Sequence, residues 1–153
     1  MALEIERKFL VVGEAWKTAA GSRIAQGYLN LDPRRTVRVR VSDGAAWLTI
    51  KGLTVGATRL EFEYPIPIED AEALLKLCES SVEKTRRRLE HAGRCWEVDE
   101  FHGDNAGLVI AEIELESETA TVELPSWVGA EVTHDPRYFN SNLAARPYRA
   151  WTA

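Results

Sequence analysis

Cysteine, histidine and long apolar runs are all scarce in this 153-residue chain, and each scarcity narrows what it can do. The two cysteines, Cys78 and Cys95, lack CxxC spacing and read as ordinary thiols of a reducing compartment. The three histidines, His91, His102 and His134, show no HExxH or paired spacing and read as surface residues. No stretch approaches the roughly 18 apolar residues of a membrane span, and the chain opens on an acidic strand rather than a secretion signal. The expectation is a cytoplasmic protein without membrane contact. Excess positive charge is missing too: 19 Lys and Arg stand against 24 Asp and Glu, a net charge of −5. That leaves no global footprint for nucleic acid. Any polyanion must meet locally concentrated cations, so their placement is the informative quantity.

Repeats, low-complexity tracts and linkers are absent, and the length suits one domain over residues 1–153. What fills the chain is period-two alternation. It predicts strands over Leu3–Val11, Arg23–Leu29, Thr36–Ser42, Ala46–Lys51, Thr58–Ile66, Val82–His91, Cys95–Phe101, Leu108–Glu116 and Thr119–Leu124. Asp43-Gly44 is a hairpin signal, and Ala92-Gly93 and Gly103–Gly107 carry turn chemistry. One convincing helix is predicted over Glu69–Ser80, where Ala71, Leu74, Leu75 and Cys78 form an apolar stripe. Shorter helical pieces fall at Glu14–Ala19 and Pro136–Ala144. The fold class is mainly β (α+β), with about eight antiparallel strands in a barrel or sandwich.

Side chains alternate faces along a strand, so residues two apart share one. Glu4, Glu6 and Lys8 share a face, as do Arg38 and Arg40, and Arg59, Glu61 and Glu63. Lys84, Arg86 and Arg88 do the same, then Glu97 and Asp99, then Glu112, Glu114 and Glu116. Lys51 stands against Leu48 and Ile50, while Arg7, Arg87 and Glu100 break the pattern. Two arrangements fit. With the charges outward, this is a small barrel around an apolar cavity, its polar face turned to water. With the charges inward, they line a wet tunnel that must pair, hydrate or coordinate them. The sorting of like charges into blocks favours a ligand, because like charges side by side gain no stability. Carboxylates suit hard cations such as Mg²⁺ or Mn²⁺, and arginine forks match phosphate oxygens.

Glu4-Ile5-Glu6-Arg7-Lys8 resembles the ExExK signature of the CYTH superfamily, the triphosphate tunnel metalloenzymes. The likeness continues through Gln26-Gly27-Tyr28-Leu29, Val37-Arg38-Val39-Arg40, Thr49-Ile50-Lys51-Gly52, Arg59–Glu63, Lys84-Thr85-Arg86, Trp96–Asp99 and Ala111–Glu116. Asp135–Asn142 resembles the small bacterial members. The resemblance implies an eight-stranded antiparallel β-barrel tunnel with a charged interior, covered by a few helices. It implies divalent-metal-dependent hydrolysis of inorganic tripolyphosphate or another triphosphate, with Mg²⁺ or Mn²⁺ as the cofactor, two ions in all. By motif position Glu4, Glu6, Asp99, Glu112 and Glu114 become metal ligands, with Glu61, Glu63 and Glu116 as additional acids. Lys8, Arg38, Arg40, Lys51, Lys84 and Arg86 become phosphate clamps. Arg59 is a further clamp that salt bridging explains equally well, as it explains Arg88 and Glu97. Glu4, Glu6 and Lys8 carry the catalytic role, and Tyr28 becomes a water-positioning or base residue, or a tyrosine bonded into the wall. A class IV-type adenylate cyclase, a thiamine triphosphatase and a non-catalytic polyphosphate-binding module are the alternatives. An apolar outer wall would favour a homodimer.

Overall fold

A computed structural model describes residues 3–151; the first and last two residues of the expected domain lie outside the described residues. Its strands are β1 (Leu3–Val11), β2 (Gly21–Asn30), β3 (Arg35–Ser42), β4 (Ala45–Gly52), β5 (Thr58–Ile66), β6 (Ser81–His91), β7 (Arg94–Phe101), β8 (Val109–Glu114) and β9 (Val128–Glu131). They hydrogen-bond in the order β5-β4-β3-β2-β6-β7-β8-β1, and β1 returns to pair with β5. Eight antiparallel strands thus close on themselves, and the sheet keeps no free pair of edges. β1 manages the closure by dividing its length. Leu3–Ile5 pair with β5, whereas Glu6–Leu10 pair with β8 on the other side. β9 joins β1 beyond the end of β5, at Phe9 and Val11.

Local chemistry sets the turns. Ser42 pairs with Ala45, so Asp43-Gly44 is a two-residue loop, and both residues adopt positive φ, 51° and 75°. His91 pairs with Arg94 around Ala92-Gly93 in the same way, at 50° and 77°. This mirror-image turn matches the right-handed twist of the strands. Helix α1 (Ile68–Leu77) carries the expected stripe, starting one residue before and ending three before the predicted bounds. It packs on β2, β3 and β4, where Ala71 meets Val39 and Ala46. The approach is close enough to require Gly27, since a Cβ there would lie 2.8 Å from Cys78 Sγ.

The apolar faces point outward, as a charged lumen demands. Phe9, Trp96, Val98, Ala111 and Ile113 pack beneath Trp16 and Trp127 on the wall of β1, β7 and β8. β5 is left bare: Leu60, Phe62 and Tyr64 are exposed, the stripe on which the homodimer expectation rests. The lumen itself is charged along only part of its length. Leu10, Val82, Phe101 and Ile110 continue the parity of Lys8, Lys84, Asp99 and Glu112, yet they pack with Tyr138, Leu143 and Ala144 of the tail. The tail therefore plugs one end with an apolar floor. It is built from a 3₁₀ turn at Pro136–Tyr138 and helix α2 (Asn140–Ala145).

Two expectations need correction. Thr119–Leu124 forms no strand; Ala120 and Val122 instead cover the Phe9–Trp96 cluster as irregular chain. β8 ends at Glu114, not Glu116. Among the described residues, no helix is long and apolar enough to cross a membrane.

Candidate active site

The charged part of the lumen encloses about 230 Å³, and most of the residues singled out in the sequence line it. Ladder register explains their convergence: Lys51 pairs with Glu61, Glu4 with Arg59, Glu6 with Glu114, and Lys8 with Glu112. Two unlike walls result.

On the wall of β1, β8 and the adjoining ends of β4 and β5 the acids Glu4, Glu6, Glu61, Glu112 and Glu114 outnumber Lys8, Lys51 and Arg59. Glu4 lies 3.1 Å from Lys51 and 3.3 Å from Arg59, and Lys51 also reaches Glu61 at 3.1 Å. Lys8 lies 3.1 Å from Glu112 and 3.5 Å from Glu6. Burial would raise the Glu4 carboxyl, but Lys51, a hydrogen bond with Glu61 and Arg59 hold it at about 2. Glu6 goes the other way. Burial first, then the facing Glu112 and Glu4, push it up to about 8 against the attraction of Lys8. Burial and the nearby Glu4 and Glu97 raise Glu114 as well. One carboxylate oxygen from each of Glu4, Glu6 and Glu114 lies within 4.8 Å of the others. Glu6 and Glu114 resist ionisation beside the ionised Glu4, so the set offers hard oxygen donors short of a cation. This donor set fits a divalent metal.

On the opposite wall Arg38, Arg40, Arg86 and Arg88 outnumber Glu63 and Glu97. Arg38 bonds Thr49 at 3.2 Å and lies 3.5 Å from Glu63, which leaves its buried Nε without a protein partner among the described residues. Arg86 grips Asp99 with two nitrogens, at 2.8 and 2.9 Å, and reaches Glu97 at 3.3 Å. Arg40 is drawn down to about 10 by burial and by the neighbouring Arg38 and Arg86. Tyr28 lines the same cavity, opposite Arg38 in the β2–β3 ladder.

Three expected site residues stand elsewhere. Lys84 and Asp99 have no exposed surface and lie behind the wall, paired at 2.7 Å. Their parity is right, but their depth puts them level with the apolar floor, where Lys84 also sits over the Phe101 ring. Burial lowers Lys84 to about 7, while Lys84 and Arg86 together outweigh burial and keep Asp99 below the usual carboxylate range. Glu116 lies past the end of β8, exposed, and accepts two 3.0 Å hydrogen bonds from Arg94. The parity exceptions explain themselves: Arg7 pairs with Glu131 at 2.8 Å, and Arg87 pairs with Glu100 at 3.0 Å while stacking on Trp16. Sequence reasoning missed Gln26 as well as Phe139, Asn140 and Ser141, which the tail brings to the cavity. Only the Gln26-Gly27-Tyr28 and Asn140-Ser141-Asn142 stretches pointed toward them.

A closed barrel that turns a carboxylate cluster and a set of arginines into one lumen is a tunnel-type site for a metal and a polyanion. The CYTH domain family matches residues 2–148, and the chain belongs to that family. It is 51% identical over 152 residues to an inorganic triphosphatase of Acetivibrio thermocellus, covering 97% of each chain. A second inorganic triphosphatase, from Nitrosomonas europaea, is 35% identical over 147 residues, with 92% of this chain and 96% of that one covered. The fold also matches a crystal structure of an inorganic triphosphatase with a TM-score of 0.69, at 35% identity and covering 94% and 95% of the two chains.

Proposed function

We propose that the protein is a divalent-metal-dependent triphosphatase that cleaves inorganic tripolyphosphate to orthophosphate and pyrophosphate. The observation that carries this reading is the two-sided lumen, with excess carboxylate on one wall and excess arginine on the other. A binding module for an anion would need only the second wall. The names of the relatives at 51% and 35% identity support the same substrate.

Glu4, Glu6 and Glu114 would hold the metal, which we take to be Mg²⁺ or Mn²⁺ and two ions in all, with Glu61 and Glu112 as supporting acids. When bound, such ions supply Lewis-acid neutralisation of phosphate charge. Lys8, Lys51 and Arg59 stand beside these acids as cations that can swing to phosphate oxygens. Arg38, Arg40 and Arg86 bind the chain of phosphates from the other wall and stabilise charge on the transferring phosphoryl and the leaving pyrophosphate. Tyr28 is assigned to positioning the water that attacks the terminal phosphorus. Asp99 and Lys84 act from behind, by fixing Arg86.

A substrate panel tests the reading. Orthophosphate release is expected from tripolyphosphate with Mg²⁺ or Mn²⁺, ahead of ATP, thiamine triphosphate and pyrophosphate. No turnover of tripolyphosphate from neutral to alkaline pH with either metal would contradict it.

A further inference from the structure

Arg40 differs from the other cations that line the lumen. Lys8, Arg38, Lys51, Arg59 and Arg86 each lie beside a carboxylate. Among the described residues Arg40 has no carboxylate partner, and a neutral amide holds it instead: Nε donates to Gln26 Oε1 at 2.8 Å. Gln26 is fully buried, and its Nε2 donates to Asn140 Oδ1 at 3.3 Å. The same Asn140 oxygen accepts from the Lys84 ammonium at 3.1 Å.

This chain of bonds has a direction. An amide side chain can present either its oxygen or its nitrogen, and both ends occupy the same volume. Lys84 removes the choice at Asn140, because its charged form, held against Asp99 at 2.7 Å, only donates, and the atom facing it must be oxygen. That oxygen then requires the nitrogen of Gln26, which leaves the Gln26 oxygen for Arg40. Were Asn140 absent, nothing in the chain of bonds would stop Gln26 from turning over, and its NH₂ would face a guanidinium that cannot accept. Arg40 would lose its only protein partner among the described residues, in a site where Arg38 and Arg86 already repel it.

We propose that Asn140, carried in by the tail, is a positioning residue that sets the amide polarity of Gln26 and so aims Arg40 at the phosphate chain. A neutral hold suits that task, since a fixed carboxylate would neutralise the guanidinium before substrate arrived. The inference rests on the polyphosphate reading of the lumen.

Steady-state kinetics on tripolyphosphate test it through double substitutions. Asn140→Ala is expected to raise KM about tenfold while kcat changes by less than about twofold, the scale of one hydrogen bond to a charged group. In an Arg40→Ala background the same substitution should add less than about twofold, whereas in an Arg59→Ala background it should keep its full effect. A general loosening of the fold would instead lower kcat and act in every background. Full additivity with Arg40→Ala, or an unchanged KM, overturns the assignment while the wild-type activity leaves the polyphosphate reading standing. If the wild-type chain neither binds tripolyphosphate by calorimetry nor hydrolyses it, both fall.

Discussion

The two walls of the lumen use the same side-chain types in opposite ratio, and they are stabilised in opposite ways. Behind the arginine wall the buried carboxylate, Asp99, is saturated: it meets Lys84 at 2.7 Å and Arg86 at 2.8 and 2.9 Å, with its charge kept on. On the acid wall burial first, then Glu112 and Glu4, push Glu6 up to about 8. That buried carboxylate is complete as it stands. The other is unsatisfied until a cation arrives. Stability resides in the first, and readiness for a ligand in the second.

The sharpest way to break the contrast is to unmake the completed pair. Asp99→Asn leaves Lys84 buried without its counter-charge and Arg86 with only Glu97 and the more distant Glu112, and should cost about 3–5 kcal/mol in denaturant unfolding. On the acid wall the neutral swap should do the reverse. Glu6→Gln relieves crowding and spares the fold, yet should lower metal-dependent turnover about a hundredfold or more, read as kcat at saturating tripolyphosphate. The same contrast has a pH signature. Glu6 in the metal-free fold keeps its proton up to about 8, whereas an ordinary glutamate gives it up near 4.5. The folded state therefore binds the extra proton between those values, and metal-free stability should fall as pH rises through that window. Lys84, lowered to about 7, adds a slope of the opposite sign only above that value. Thermal midpoints with and without Mn²⁺ should show the fall, and Glu6→Gln should shrink it to the smaller part due to Glu61 and Glu114, which are also raised. Glu116 belongs to neither wall. Glu116→Gln should leave turnover unchanged and stability within about 0.5 kcal/mol, as an exposed ion pair allows.

Much of this was legible in the sequence, because period two is all that a strand face needs. Glu4, Glu6 and Lys8, or Arg38 and Arg40, could be grouped by parity alone, and the resemblance turned the grouped charges inward. Parity carries no information on depth along the lumen. Lys84 and Asp99 share their face with Arg86 and Glu97, yet the barrel carries them past the cavity to the level of Phe101. Glu116 shares parity with Glu114, but its strand has already ended. The alternation over Thr119–Leu124 looked like a strand and found no ladder to join, since β9, a short segment around Gly129, pairs with β1 beyond β5. The roles of Gln26 and Asn140 stayed hidden for another reason. Neutral amides have no sorting signal, and their roles depend on a contact across 114 residues of chain.

Separability of the walls is the central claim, and paired calorimetric titrations of Glu6→Gln and Arg38→Ala with Mn²⁺ and with tripolyphosphate test it most directly. Glu6→Gln should lose Mn²⁺ binding and keep tripolyphosphate binding, while Arg38→Ala should keep Mn²⁺ and weaken tripolyphosphate. Equal loss of both ligands in both variants would contradict the account.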